Sequence, residues 1–317
     1  MADATPAPIP VPIEPSRSEP LATPEAKPIP WYEFLKSASE SQFKARLTEE
    51  IRTLIEEFSL NLGSYSLISL YDPQTQIDAW ESNRIYTSLQ ELNSNHSKDV
   101  YLFLVSRGGQ IEPAYLISKI CKTYAKTRFS VAIPRIAKSA ATLIALGADE
   151  IHMGMLGELG PIDPQVGDLP ALGVKKALQT IAGVCEEYPG SSNAFAQYMA
   201  KKLTIEQIGY CERVSESAVQ YAERLLGKRT TLSGRADKIA KQLVYEYKDH
   251  GFVIDVEEAR TLLEDDMVIT DSPEIRFAEK LYQKLEHVNM MFGLAKRKRF
   301  TVVGDLRSDI FTYPTES

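Results

Sequence analysis

The sequence predicts an α/β fold built on a largely parallel sheet, and three observations carry that expectation. Short apolar runs alternate with helical stretches from Ser64 to Met153, as crossover units do. Two of these runs end in turns of unusual composition, Gly108-Gly109 and Lys138-Ser139. Beyond Gly157 the pattern becomes mainly helical, which adds a helical C-terminal region to the sheet.

Residues 1–30 hold nine of the chain's 18 prolines and read as a disordered, polyproline-rich arm. Folded structure is expected to begin near Trp31, where Phe43, Leu47, Ile51, Leu54 and Ile55 recur at helical spacing. Ser64–Leu70, Tyr101–Val105, Phe129–Ile133 and Glu150–Met153 read as strands. Ile111–Tyr124 and Ser139–Leu146 read as the helices between them. Right-handed crossovers place the turns that follow the strands on one edge of the sheet. Further helices are predicted at about 173–187, 193–226, 235–248 and 273–290. Ser272-Pro273 starts the last of these, and Asp255 with Glu258 reads as a capping box for a short helix at 256–263. The expected organisation is an arm (1–30), an α/β core (31–230) and a helical C-terminal extension with a basic tail (231–317).

The 317 residues and 44% hydrophobic content suit a globular core. A net charge of −7 gives no overall basic field for nucleic acid or anionic lipid. Cys121, Cys185 and Cys211 are too few and too widely spaced for a disulfide framework or a CxxC metal site. With no apolar run of spanning length, the chain is expected to be soluble and cytoplasmic, with a membrane reached only through a partner.

Acyl transfer needs a nucleophile, a proton acceptor and two donors aimed at the developing oxyanion. Ser139 lies between a strand and a helix, where free N–H groups and the helix dipole favour negative charge. Gly108-Gly109 ends the earlier strand, and glycine lets N–H groups turn outward. The N–H groups of Gly109 and Ala140, with Gly108 beside them, are the candidate oxyanion hole. Taken singly, Gly-Gly is an ordinary tight turn and Ser139 an ordinary helix cap.

Together, Ser106-Arg107-Gly108-Gly109, Lys138-Ser139-Ala140-Ala141-Thr142-Leu143 and Gly160-Pro161-Ile162-Asp163-Pro164-Gln165 resemble the Clp proteolytic subunit and signal peptide peptidase superfamily. Within it the chain is most similar to the serine dehydrogenase proteinase family. The resemblance implies a Clp protease/crotonase-like spiral of ββα units, a Ser139 nucleophile, and oxyanion donors at Gly109 and Ala140. It also implies metal-independent hydrolysis of peptide bonds and assembly into homo-oligomers. The first reading is an ATP-independent serine peptidase acting on polypeptides with no cofactor. One departure is Arg107, where the superfamily commonly has proline.

The position where Clp subunits carry a catalytic histidine aligns with Asp163, a supporting group at most because a carboxylate is a weak base. Signal peptide peptidases use a lysine from a later helix instead. Lys176 and Lys175 are the first candidates for such a Ser-Lys dyad, with Lys201 and Lys202 behind them and His250 as a base from the helical region. Lys138 is expected to be a surface charge, His152 a packed strand residue, and His96 and His287 solvated. Lys296-Arg297-Lys298-Arg299 reads as a solvated tail. Tyr198, Tyr210 and Tyr221 lie on an amphipathic stretch suited to core packing or a subunit interface. Two other functions fit the same residues: an inactive oligomeric binding scaffold of the same fold, and a crotonase-like enzyme acting on acyl thioesters.

Overall fold

A computed structural model describes residues 29–166, 169–202 and 204–315. Most of the proline-rich arm, 1–28, lies outside the described residues. The chain enters through α1 (Trp31–Ser37), α2 (Glu40–Glu57) and α3 (Ser59–Leu62), and then β1 (Tyr65–Asp72) opens the sheet. α2 starts at a capping box, with Ser39 and Gln42 each accepting the other's backbone N–H. α4 (Ala79–Asn93) leads to β2 (Asp99–Ser106), α5 (Ile111–Tyr124), β3 (Phe129–Ile133) and the two-residue β4 (Ile136–Ala137). α6 (Ala140–Leu146), β5 (Glu150–Met153), β6 (Glu158–Leu159) and the small hairpin β7 (Gln165–Val166) and β8 (Leu169–Pro170) follow.

The helical part comprises α7 (Ala171–Glu187), α8 (Ser192–Lys202), α9 (Ile205–Leu226), α10 (Ala236–Lys241) and α11 (Val256–Leu263). β9 (Val268–Ile269), α12 (Pro273–Lys296), β10 (Lys298–Asp305) and β11 (Ile310–Pro314) complete the chain. The helix predicted at 193–226 is two helices, because Thr204 and Gln207 form a second capping box that restarts the chain. The helix predicted at 235–248 ends at Lys241 and continues as one π-type turn, Gln242–Glu246. Asp255 caps α11 through the Glu258 N–H, but Glu258 does not reach back; its carboxylate takes the Tyr247 hydroxyl at 2.5 Å.

Among the described residues nine strands form one sheet in the order β11-β10-β1-β2-β3-β5-β9, with β4 and β6 branching from β2. β1, β2, β3, β5 and β9 are parallel, while β10 and β11 are antiparallel at one edge. The period-2 alternation of the strands divides the core. Ile68, Leu70, Leu102 and Leu104 face the layer of α4, α5, α6 and α9. Leu67, Tyr71, Tyr101 and Phe103 face α1, α2 and α12.

The C-terminal region is mainly helical, as expected, and also returns to the sheet through β9, β10 and β11. Ile275, Phe277, Leu281, Leu285, Val288 and Phe292 of α12 cover one face of the sheet. β10 pairs with β1 in the register Ile68↔Asp305. The basic run is not a tail: Arg297 caps α12 in the left-handed region (φ 52°), and Lys298 and Arg299 begin β10. Phe300 and Val302, both buried, draw those charges into the sheet edge. Tyr198 and Tyr210 are exposed, whereas Tyr221 packs on Tyr115 at 4.5 Å.

Candidate active site

The two singled-out turns meet because β2 and β4 are parallel neighbours with Ser106 opposite Ala137. Two residues further along each chain, Gly108 lies against Ser139. A Cβ on Gly108 would sit 2.8 Å from Ser139 Cβ and 3.0 Å from the Ala140 nitrogen, so only glycine permits this approach. Gly108 also has φ +103°. Its N–H is committed to Ser106 Oγ at 3.1 Å, which makes Gly108 the spacer of the turn rather than a third oxyanion donor. Among the described residues the N–H groups of Gly109 and Ala140 make no hydrogen bond.

Gly109 is held from behind by Ile77, in the loop before α4. The Ile77 N–H donates to the Gly108 carbonyl at 2.9 Å, and the Gln110 N–H donates to the Ile77 carbonyl at 2.8 Å. In this one-residue parallel bridge Gly109's own N–H points away from Ile77, as strand geometry requires. Arg107 is exposed, and its Nε donates to the Pro73 carbonyl at 3.0 Å, tying the turn to the same loop. The loop is anchored by Asp78 and Glu81, which form the capping box of α4.

Ser139 is 8% exposed and adopts φ 52°, ψ −119°, a conformation that residues with a Cβ avoid. It does not cap α6 with its side chain. Its hydroxyl makes no hydrogen bond among the described residues. The strained turn sets Ser139 at the amino end of α6, in the strand–turn–helix context of a nucleophile elbow. α6 is buried along its whole length. Thr142 Oγ1 lies 2.7 Å from the Ala137 carbonyl and 2.8 Å from the Gly160 carbonyl, and accepts the Gly160 N–H at 3.0 Å. That hydroxyl pins the Gly160–Asp163 segment to the nucleophile helix. The π-type turn after α10 holds the segment's other side, where the Leu243 carbonyl accepts the Ile162 N–H at 2.9 Å.

Lys138 is not the surface charge expected from its sequence neighbourhood. Its side chain is 14% exposed and its Nζ lies 3.0 Å from Glu158 Oε2, 3.0 Å from the Phe252 carbonyl and 3.3 Å from the Leu159 carbonyl. Three donors meet three acceptors, so Lys138 braces the turn instead of facing Ser139.

None of the candidate bases whose side chains are described hydrogen-bonds Ser139. Lys176 and Lys201 are exposed on α7 and α8 and make no hydrogen bond to it. The side chains of Lys175 and Lys202 lie outside the described part of the structure. His250 is partly buried in the loop that also presents Phe252, and its Nδ1 makes no hydrogen bond among the described residues. Asp163, the last residue of the pinned segment, is 6% exposed. His152 is packed as expected, with Nδ1 2.8 Å from Ser272 Oγ; His96 and His287 are exposed. No group of three or more His, Cys, Asp or Glu residues suited to a metal ion occurs among the described residues. No helix among them is long and apolar enough to cross a membrane.

Sequence reasoning missed Ser106, Ile77, Glu81 and the bridging role of Thr142. Asp78 and Glu81 had a legible signal, the acid-x-x-acid spacing of a capping box just before an apolar run.

Burial pushes the Glu81 carboxyl up to about 7 from its ordinary 4.5. A carboxyl raised in the folded state adds stability in full below about 4.5, and that stability is lost as pH rises through about 7. Glu81→Gln, which can still reach back to the cap, is expected to flatten this dependence, the change amounting to roughly 2–3 kcal/mol at most. Denaturation midpoints of the two proteins at about pH 5, 6, 7 and 8 check it. Parallel curves would refute the assignment.

A strand–Ser–helix turn set beside a Gly-Gly turn in a mostly parallel α/β sheet is here the setting of a ClpP-like protein. Residues 73–291 match the ClpP-like SDH-type serine proteinase family, and the chain belongs to that family. Two uncharacterized proteins of Methanocaldococcus jannaschii are similar to it. One is 33% identical over 178 residues, 56% of this chain and 56% of the relative. The other is 46% identical over 52 residues, 16% of this chain and 18% of the relative. The chain thus matches about half the length of the first relative and less than a fifth of the second. Solved structures with a similar course include a mutant of the 1510-N membrane-bound stomatin-specific protease in complex with a substrate peptide, at 15% identity. Its TM-score is 0.42, covering 80% of this chain and 87% of that one. ClpP1 from Listeria monocytogenes is 16% identical with a TM-score of 0.40, covering 71% of this chain and 98% of that one.

Proposed function

We propose that this chain is a serine endopeptidase that hydrolyses polypeptides through an acyl-enzyme on Ser139, without metal or ATP. One observation carries the reading: Ser139 is held in a strained turn against the Gly108-Gly109 turn, and the N–H groups of Gly109 and Ala140 make no hydrogen bond among the described residues. Membership of a serine proteinase family supports peptide bonds as the substrate class.

In this mechanism Ser139 Oγ attacks the scissile carbonyl and its proton passes to a base, Lys176 or Lys175 being the first candidates. The carbonyl oxygen, now negative, accepts from Gly109 and Ala140, each donor worth about 2.7–4 kcal/mol of transition-state stabilisation. The amine leaves with a proton from the conjugate acid of that base. Water then attacks the ester under the same two donors and releases the acid.

Intact-mass analysis after treatment with a fluorophosphonate probe tests the reading. A single adduct is expected on the wild-type chain and none on Ser139→Ala. Of Lys176→Ala and Lys175→Ala, the variant that loses the adduct while remaining folded identifies the base. A folded wild-type chain that takes no adduct, or a Ser139→Ala variant that labels as well, overturns it.

A further inference from the structure

Away from Ser139, the carboxyl ends of α5, α6 and α9 converge on a cavity of about 60 Å³. Lys119, Lys122, Lys228 and Arg229 line it, facing one carboxylate, Asp149. In a chain of net charge −7 this is a local reversal of sign.

That carboxylate is already used. Lys122 pairs with one of its oxygens, and the Phe129 N–H donates to the other at 2.7 Å. Arg229 Nη1 donates to the Asp149 backbone carbonyl at 2.6 Å, and Nη2 lies 3.4 Å from the exposed Asp266 carboxylate. Arg229 Nε is buried and makes no hydrogen bond among the described residues. Lys119 and Lys228 have no acceptor among them either; Lys119 Nζ lies 5.7 Å over the Tyr115 ring.

Helix ends account for part of this cluster, because each carboxyl terminus carries roughly half a negative charge. The dipole draws cations to these ends but leaves the ammonium groups of Lys119, half-buried, and Lys228, exposed, without an acceptor among the described residues. With the unpaired guanidinium N–H of Arg229 they make one small space suited to an anion. The space is also the right size. Where a single water needs roughly 10–15 Å³, about 60 Å³ accommodates a tetrahedral oxyanion.

We propose that this cavity binds a phosphate-class dianion, held by Lys119, Lys228 and Arg229 with Lys122 at its side. The wall formed by Leu146 and Gly147 is the far end of the helix that begins after Ser139. Ser118 clamps it there, donating from Oγ to the Ile144 carbonyl at 2.9 Å, with no room for a Cβ on Gly147. Bound anion stiffens that clamp and raises the stability of the nucleophile helix.

The test is calorimetric titration of inorganic phosphate into the full chain, with chloride at matched ionic strength as the control. Half-saturation at or below about 1 mM is expected, together with a rise in melting temperature at saturation. The double variant Lys119→Gln/Lys228→Gln, which breaks no described ion pair and so retains the fold, is expected to bind at least tenfold more weakly. Lys280→Gln, on α12 and 57% exposed, is expected to bind as the wild type does. Glycerol phosphate in place of phosphate separates the sources: equal binding identifies a phosphomonoester group, and phosphate binding alone identifies the free ion. Phosphate acting no more strongly than chloride, or a double variant that binds like the wild type, overturns the proposal. Because the readout is binding and melting, it stands or falls separately from labelling of Ser139.

Discussion

Ser139→Gly is expected to abolish fluorophosphonate labelling and, at the same time, to raise the melting temperature of the protein by about 2–5 °C. The two effects have one cause. Ser139 is held at φ 52°, ψ −119°, where a Cβ costs on the order of 1–3 kcal/mol that glycine does not incur. The substitution also removes the hydroxyl of a residue that is 8% exposed, a hydroxyl with no hydrogen bond among the described residues, worth up to about 1 kcal/mol more. Against these gains stands the greater chain entropy that glycine loses on folding, roughly 0.5–1 kcal/mol. The balance is a stabilisation of about 1–3 kcal/mol. A residue that is unfavourable for folding and well placed for chemistry is what a functional constraint looks like. Differential scanning fluorimetry of wild-type, Ser139→Ala and Ser139→Gly proteins makes the comparison. Ser139→Ala keeps the Cβ and therefore most of the strain, so it should label no better and gain less. A glycine variant that melts below the alanine variant would show that the turn is unstrained.

What could be foreseen from the residues follows the range over which each signal acts. Ile111–Tyr124 and Phe129–Ile133 were legible to the residue, because both pair a strong apolar period with clear flanking turns. The Gly108-Gly109 and Lys138-Ser139 turns could be placed on one sheet edge from crossover handedness alone. Their contact, set by a single register pair between Ser106 and Ala137, could not. Local pattern also misjudged Lys138, whose three acceptors come from Glu158, Leu159 and Phe252, the last 114 residues away. The C-terminal strands failed for a related reason. Lys298 and Arg299 mask the start of β10, and only the buried Phe300 and Val302 and the partner strand β1 show where the run belongs. The general base is the part of the site least legible in local pattern, since a lysine's role rests on which surface its helix meets.

Gly109→Ala is expected to lower the rate of Ser139 labelling by about 10²–10³ and to destabilise the fold by about 2–4 kcal/mol. A Cβ on Gly109 would lie inside 3.0 Å of the nitrogen, oxygen and Cα of Ile77, all backbone atoms that cannot turn aside. Either the Ile77 loop or the glycine turn must move. Both hydrogen bonds of the bridge, Ile77 N–H to the Gly108 carbonyl and Gln110 N–H to the Ile77 carbonyl, are then strained or broken. Movement of the turn also swings the Gly109 N–H away from the oxyanion position, which is where the rate is lost. Ile77→Ala separates the two consequences. It removes a side chain that is 1% exposed, and so costs stability of about 2–5 kcal/mol, yet leaves the backbone bridge in place. Labelling by Ile77→Ala should therefore stay within a few-fold of wild type when both are measured below their melting transitions. Equal loss of labelling in the two variants would mean that general destabilisation, rather than the aim of the Gly109 N–H, controls the reactivity of Ser139.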